Sequence, residues 1–472
     1  MTTLKRRIGW LAIGQSAVRG AQLAAAVVLV HLMPASEWNA LALALSVYFV
    51  GVTVGSLNLE HSVLAFLPLL ASSEYGRFLH QTRRILVGLG GLTGLIVIAS
   101  QALFGFLDRP TSAALLAVAI VLEVPAVVGA AVFIAQHNHR AAAIWDLASA
   151  GAFACASFLP ALVAHSSISV LWGLAAYGVV RFAAFAWIVR CIHTDRLVPP
   201  IKRLFRRQVS FCAPLGVSLA LGTLTRAVDK WIVAWKVPDA IGSYALAAQE
   251  LPLLAVLPYA GGAAVAASLV THLSRGERSH ALTLWKSQAQ TLCTPVVALS
   301  VGLAAVAPEL FRLVVPTHQR GAALSFAAFS FIGVHRVTEY GVVLRAANRN
   351  RGIVESAAIV LAGCIVFGVV GAEFGGLLGV SIGTAVAFGI GWIAILRRIA
   401  QVFGVGFRDV FPWTAWFRAV NVSITAFGGA LVAAAPFDSS VLRLLAKTAV
   451  FVAVIRLLTF GASNPSPAWV SA

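Results

Sequence analysis

Apolar residues run along this chain in long blocks divided by short polar punctuation. A helix that crosses a bilayer needs roughly 20 mostly apolar residues. The blocks predict such helices over 9–33, 39–67, 85–106, 111–135, 143–163 and 168–190, then over 209–235, 241–270, 284–307, 321–345, 353–371 and 374–396. A last pair falls at 413–434 and 440–459. Between the first six and the second six lies a basic stretch with Pro199, Pro200, Lys202, Arg203, Arg206 and Arg207. The pattern therefore predicts an all-α integral membrane protein with fourteen transmembrane helices. Residues 1–193 form one six-helix lobe, 194–208 a basic cytoplasmic linker, 209–396 a second six-helix lobe, and 397–472 an additional helix pair and tail. Both termini are expected in the cytoplasm.

The first block follows Lys5, Arg6 and Arg7, as a signal peptide would. It runs on to about Met33 and contains Arg19, so it reads as a retained span. Segment 201–207 reads as a short amphipathic basic helix lying on the inner leaflet and anchoring the join between lobes.

Composition supports the membrane reading. Of 472 residues, 60% are apolar and only 11% charged, too few polar groups to cover a soluble core of this size. Net charge is +18, which in a soluble chain would point to nucleic acid. Its distribution argues otherwise. With the N-terminus inside, 23 of the 35 Lys and Arg residues fall in cytoplasmic segments, as the positive-inside rule expects. The charge then faces anionic lipid headgroups, and no nucleic-acid partner is expected. Five cysteines show no metal or disulfide spacing and read as small buried hydrophobes.

The hairpin turn Pro34-Ala35-Ser36-Glu37-Trp38-Asn39-Ala40-Leu41-Ala42 has a counterpart after the seventh span, in Pro238-Asp239-Ala240-Ile241-Gly242-Ser243-Tyr244-Ala245-Leu246-Ala247. Each joins the first to the second span of its half, so the halves read as parallel repeats, a common transporter architecture.

The second turn, together with Val228-Asp229-Lys230-Trp231-Ile232, resembles the matching turn of the O-antigen and exopolysaccharide flippases (Wzx-type). The first turn, from Leu32-Met33-Pro34 through Leu45 with Gly55 and Leu57 following, resembles its first-half counterpart. These proteins belong to the multidrug/oligosaccharidyl-lipid/polysaccharide exporter superfamily. The resemblance implies translocation of a polyprenyl-diphosphate-linked oligosaccharide across the bacterial inner membrane for cell-surface polysaccharide synthesis, by alternating access. Spans one, two, seven and eight would line the cavity. It further implies membrane lipids, a polysaccharide polymerase and chain-length machinery as partners, and a proton or sodium ion for coupling. No cofactor and no metal are expected.

Ionisable groups inside the bilayer are costly and need a partner or a wet cavity. Arg19 shares a helical face with Gln15 and Gln22, and its paired donors suit a diphosphate. The alternative is packing against a carboxylate on a neighbouring helix. In the seventh span Ser218, Thr225 and Asp229 form a stripe next to Arg226, for contact with a cation or sugar, unless Asp229 only neutralises Arg226. Glu250, in the outer part of the eighth span, is a cavity candidate. In the tenth span His335 and Glu339 are coupling candidates, with Arg336–Glu339 as a self-satisfied pair the plainer reading. Glu123 and Arg181, mid-membrane in spans four and six, are expected to pair. Pro252 and Pro258 should bracket a bend in span eight.

Three other readings stand beside the flippase. One is a membrane-embedded glycosyltransferase or polymerase, but no outer loop offers paired carboxylates with room to work, and no enzyme activity is expected. The others are a small-molecule or multidrug exporter and a peptidoglycan-precursor exporter of the same superfamily.

Overall fold

A chain surrounded by hydrocarbon must satisfy its backbone polar groups internally, which leaves helices as the local solution for these apolar blocks. A computed structural model describes residues 2–70, 72–107, 109–192, 202–249, 252–316 and 322–460. Its helices are α1 (Thr2–Leu32), α2 (Ala35–Ser56), α3 (Leu59–Phe66), α4 (Ser72–Phe104), α5 (Pro110–Glu123), α6 (Gly129–Ala135), α7 (His139–Ala164), α8 (Ser167–Ile192), α9 (Lys202–Lys236) and α10 (Ile241–Ala247). They continue as α11 (Pro252–Ser274), α12 (Arg278–Val314), α13 (Ala323–Ile332), α14 (Gly341–Ala346), α15 (Asn350–Phe403), α16 (Trp413–Ala434) and α17 (Ser440–Phe460). Every predicted span falls on one or two of these.

Among the described residues, nine helices are long and apolar enough to cross a membrane, or ten if the bent pair Val256–Ala266 and Ser268–Ser274 counts as one. Two of the fourteen stretches, Ser16–Leu32 and Ala323–His335, are apolar but shorter helices, and two further reasons account for the rest of the difference. First, α15 is two arms: Gly376 has φ 53° and ψ −133°, and the arms fold back on each other. A Cβ on Gly379 would lie 1.9 Å from the Gly371 carbonyl oxygen, so the two backbones touch. Second, α17 carries Arg443, Lys447 and Arg456, which lower its hydropathy.

The helices group into two units, Met1–Gln249 and Glu250–Ala472. In the first unit α1 packs along α7, and α5 along α8 and α4. Gly173 brings α8 against α7: a Cβ there would sit 1.9 Å from the Ala156 carbonyl oxygen. Gly173→Ala should therefore force α7 and α8 apart and destabilise the protein by about 1–3 kcal/mol. A lowered unfolding temperature in detergent, against an unchanged value for Gly151→Ala where nothing lies within 4 Å, checks this. At the end of α7, Glu37 accepts from the backbone N–H (2.7 Å) and the hydroxyl (2.6 Å) of Ser167 at the start of α8. Burial opposes its ionisation, but the Ser167 hydrogen bonds and Arg109 outweigh that and hold its carboxyl below the usual range.

In the second unit an aromatic cluster of Trp285, Tyr340, Phe403 and Phe411 fills the core. Trp392, Trp413 and Trp416 extend it, and Trp416 Nε1 donates to the Val334 carbonyl at 2.9 Å. α16 and α17 thereby dock onto α12. Lys447 and Glu309, both buried, pair at 2.7 Å between α17 and α12.

Four predicted spans are broken. Span two breaks at Leu57 and Asn58, both left-handed with φ 44° and 58°. Span eight is interrupted between α10 and α11. Span four breaks after Glu123 at a 3-10 turn containing Pro125. Span ten breaks between α13 and α14, after a 3-10 turn at Gly333–His335. Spans four and ten, six apart, break at similar distances from their starts, whereas spans two and eight break at different distances from theirs.

Three expectations need correction. Segment 202–207 is not a separate surface helix but the first turns of α9, continuous with span seven. Only Cys212, Cys293 and Cys364 are buried, while Cys155 and Cys191 are exposed because they lie on outward faces of α7 and α8. Span eight is interrupted before Pro252 and bends by 44° between Ala266 and Ser268, past Pro258, rather than between the two prolines.

Candidate functional site

The site starts from α1. Its inner half lies flat on α7, where Gly14 leaves no room beside Asp146: a Cβ would be 3.1 Å from Asp146 Oδ2. Arg19 comes a turn later and is exposed. Seven and eleven residues further along the same helical face are Ala26 and Val30, only 5% and 1% exposed. A face turned to lipid would be open at both levels. This one is covered toward the end of α1, at Ala26 and Val30, and open at Arg19. Gln22, three residues after Arg19, is half-buried. The side chain of Gln15 lies outside the described residues.

α9 repeats the arrangement. Arg226 is exposed, yet Gln208, eighteen residues before it on the same face, is wholly buried, and so is Val233, seven residues after. Along this face the helix is buried at both of those positions, with half-buried residues between Gln208 and Arg226. Asp229 is buried beside it, and its carboxylate is engaged: it accepts from Tyr244 of α10 at 3.1 Å and from the Lys230 N–H at 2.8 Å. Lys230 Nζ lies 3.7 Å from Asp229 and donates to the Arg226 carbonyl at 2.6 Å. Asp229 therefore ties α9 to α10. Thr225 donates to the Leu221 carbonyl, and Ser218 is half-buried. Glu250 lies outside the described residues.

The ends of these helices near Asn39 and Gly242 are clasped. Asn39 at the start of α2 donates to the Asp239 carbonyl at 2.9 Å and accepts from the Gly242 N–H at 3.0 Å. Trp231 Nε1 donates to Ser46 at 2.7 Å. Gly242 packs under Trp38, where a Cβ would be 2.3 Å from the indole. The two hairpins that look alike in sequence thus meet each other, and α1, α2, α9 and α10 converge there.

The tenth-span candidates lie in the second unit. His335 stacks on Trp392 at 5.4 Å, and its carbonyl accepts from Tyr340. Glu339 sits in the break, against Gly262 of α11, and pairs with Arg345. Thr338 donates to Gln288 at 2.7 Å. The structure brings Arg19 and Gln22, and separately Arg226 and Asp229, into one unit, and places His335 and Glu339 together in the other. Sequence reasoning missed Asn39 and Gln208, whose partners are far away in the chain. Among the described residues no group of three or more His, Cys, Asp or Glu could hold a metal ion.

A protein family described as "Polysaccharide biosynthesis protein" matches residues 4–267. The chain belongs to that family. No curated protein matches its sequence. Among solved structures, lipid II flippase MurJ in an inward closed conformation is similar with TM-score 0.73 at 14% identity, over 95% of this chain and 98% of that one. An inward-facing multidrug resistance MATE transporter of the MOP superfamily gives 0.61 at 11% identity, over 84% and 98%. The Vibrio cholerae MATE transporter VcmN gives 0.54 at 15%, over 85% and 98%. This member of the polysaccharide biosynthesis family is therefore a multi-pass membrane protein with the fold of MOP-superfamily transporters, and those relatives are transporters and flippases rather than enzymes.

Proposed function

We propose that the protein is a flippase that carries a polyprenyl-diphosphate-linked oligosaccharide across the bacterial inner membrane for cell-surface polysaccharide synthesis. One observation carries this reading: Arg19 and Arg226 are exposed on α1 and α9, while Ala26 and Val30 after the first and Val233 after the second are buried on the same faces. Guanidinium forks match the oxygens of a diphosphate. Two such groups in an enclosed opening would hold the charged part of the carrier, and the sugar would share that space. A cationic drug would meet two like charges there, which disfavours the multidrug reading.

In this reading the chain crosses the membrane fourteen times with both termini in the cytoplasm, as lobes 1–193 and 209–396 with an extra pair over 397–472. The broken spans supply the bending that alternating access needs. His335 and Glu339, at the tenth-span break, are where proton or sodium coupling would act. Polymerase and chain-length proteins would take the product on the outer side. The likeness to a lipid II flippase supports a second reading, export of a peptidoglycan precursor, because the diphosphate chemistry is shared and the sugar is not.

The test is transport in vesicles holding the purified protein, with a fluorescent polyprenyl-diphosphate oligosaccharide in the outer leaflet and an impermeant quencher added at intervals. Protection of the dye, beyond that in protein-free vesicles, is expected. Protection of a lipid II analogue alone would move the assignment to the precursor. Release of a cationic dye without movement of either lipid would overturn the flippase reading.

A further inference from the structure

We propose that Gln208 is the lock of the inner gate, a two-donor clasp that fastens the start of α9 onto the break in span two. The inference rests on the topology given under the proposed function, which places the start of α9 at the cytoplasmic face.

Arg206 and Arg207 are exposed, yet Gln208 immediately after them is wholly buried. Its amide nitrogen donates to Ser62 Oγ of α3 at 2.8 Å and to Thr82 Oγ1 of α4 at 2.9 Å. Each hydroxyl spends its own hydrogen on its helix: Ser62 on the Leu59 carbonyl at 2.7 Å, Thr82 on the Phe78 carbonyl at 2.9 Å. Both are therefore fixed as acceptors, and one amide satisfies both with its two N–H groups. One turn on, Cys212 Sγ donates to the Asn58 carbonyl at 3.7 Å. One turn further, Gly216 meets Leu57, where a Cβ would be 2.6 Å from Leu57 Cδ1. Positions 208, 212 and 216 make one stripe on α9, and it lies along the left-handed pair Leu57–Asn58.

This stripe stands between the cytoplasmic end of α9 and the opening at Arg226. A headgroup arriving from the inner leaflet along α9 needs it to part. The construction suits a reversible lock. When the clasp opens, Ser62 and Thr82 keep their bonds to their own helices, so only the Gln208 amide has to find water. The break between α2 and α3 gives the partner side a place to swivel. Asn39 performs the matching task at the outer end, and both clasps are closed in this structure.

Cys212 reports the state of this gate. The experiment is peptide-resolved labelling by N-ethylmaleimide of the full chain in vesicles, with no transport substrate present. In the wild type, Cys212 should react as slowly as the buried Cys293 and Cys364, while Cys191, exposed, reacts readily. Gln208→Ala should speed Cys212 about 10-fold, the effect of two lost hydrogen bonds, and leave Cys293 and Cys364 slow. The double variant Ser62→Ala/Thr82→Val, which keeps Gln208 and removes its acceptors, should do the same. Asn39→Ala, at the other end, should leave Cys212 protected. Acceleration of all three buried cysteines would report unfolding of that variant, and the double variant then decides. Slow Cys212 in both the single and the double variant, with Cys293 still protected, overturns the lock. Because labelling needs no transport, a released Cys212 without lipid flipping would instead count against the flippase reading.

Discussion

Arg19→Ala should reduce flipping of the lipid-linked oligosaccharide by about 100-fold or more while leaving the protein folded. The size follows from what the side chain offers. A hydrogen bond to a charged group contributes roughly 1.5–3 kcal/mol, and a guanidinium facing a diphosphate makes two. Each 1.4 kcal/mol is a factor of about 10. Folding should be unaffected because Arg19 is exposed, and exposed substitutions usually move stability by less than about 0.5 kcal/mol.

The conservative variant separates charge from shape. Arg19→Lys keeps a positive point charge but not the fork, so it should retain about a tenth of the wild-type rate. Arg226→Ala should act in the same direction, and the two single losses should not add if both groups hold one diphosphate. Initial rates in the quenching assay, normalised to reconstituted protein, decide this. Wild-type rates for Arg19→Ala would remove Arg19 from the site and leave Arg226 as the candidate. Equal rates for Arg19→Lys and wild type would mean that only charge matters.

What the sequence made legible follows from the range over which each feature acts. A span is a local property, so the fourteen apolar stretches, and the pairing of Glu123 with Arg181, could be read directly. A turn between the stretches 353–371 and 374–396 was also legible, and the structure places the fold-back a few residues later, at Gly376, whose φ of 53° glycine supports. The break at Leu57–Asn58 was not. It places left-handed backbone at Leu57 and Asn58, neither of them Gly, and the partners that receive it lie on α9, where Gly216 meets Leu57 and Cys212 donates to the Asn58 carbonyl. The buried pairing of Lys447 with Glu309 was not legible either, because the two are 138 residues apart. Asn39 looked like a turn residue because the backbone it clasps is 203 residues on. Asp229 was read as part of the substrate stripe from its spacing alone. Its spacing could not reveal that Tyr244 of the next helix takes its carboxylate.

The Glu123–Arg181 pair gives the largest expected effect on stability. Glu123 ends α5, and the 3-10 turn after it frees backbone groups in the middle of span four. Arg181 of α8 answers both needs. It pairs with Glu123, and it donates to the Ala126 carbonyl in the turn at 3.4 Å. It also donates to Tyr177 at 3.2 Å and lies over the rings of Trp145 and Tyr177, 5.4 and 5.6 Å from their centroids. With Glu123 only 5% exposed, neither charge can turn to water if its partner is removed. Glu123→Ala and Arg181→Ala should each cost about 3–5 kcal/mol, chiefly from the stranded charge. The double variant Glu123→Leu/Arg181→Met removes both charges and keeps the volume. It should recover most of the loss but not all, since the Ala126 carbonyl still loses a donor in a place without water. Unfolding temperatures in one detergent give the ranking, because multi-pass proteins seldom unfold reversibly enough for a free energy. If the double variant melts no higher than either single one, the stranded-charge account fails and packing around Trp145 carries the stability instead. If the single variants melt within a degree of wild type, water reaches the pair, and the span-four break is wet in the resting protein.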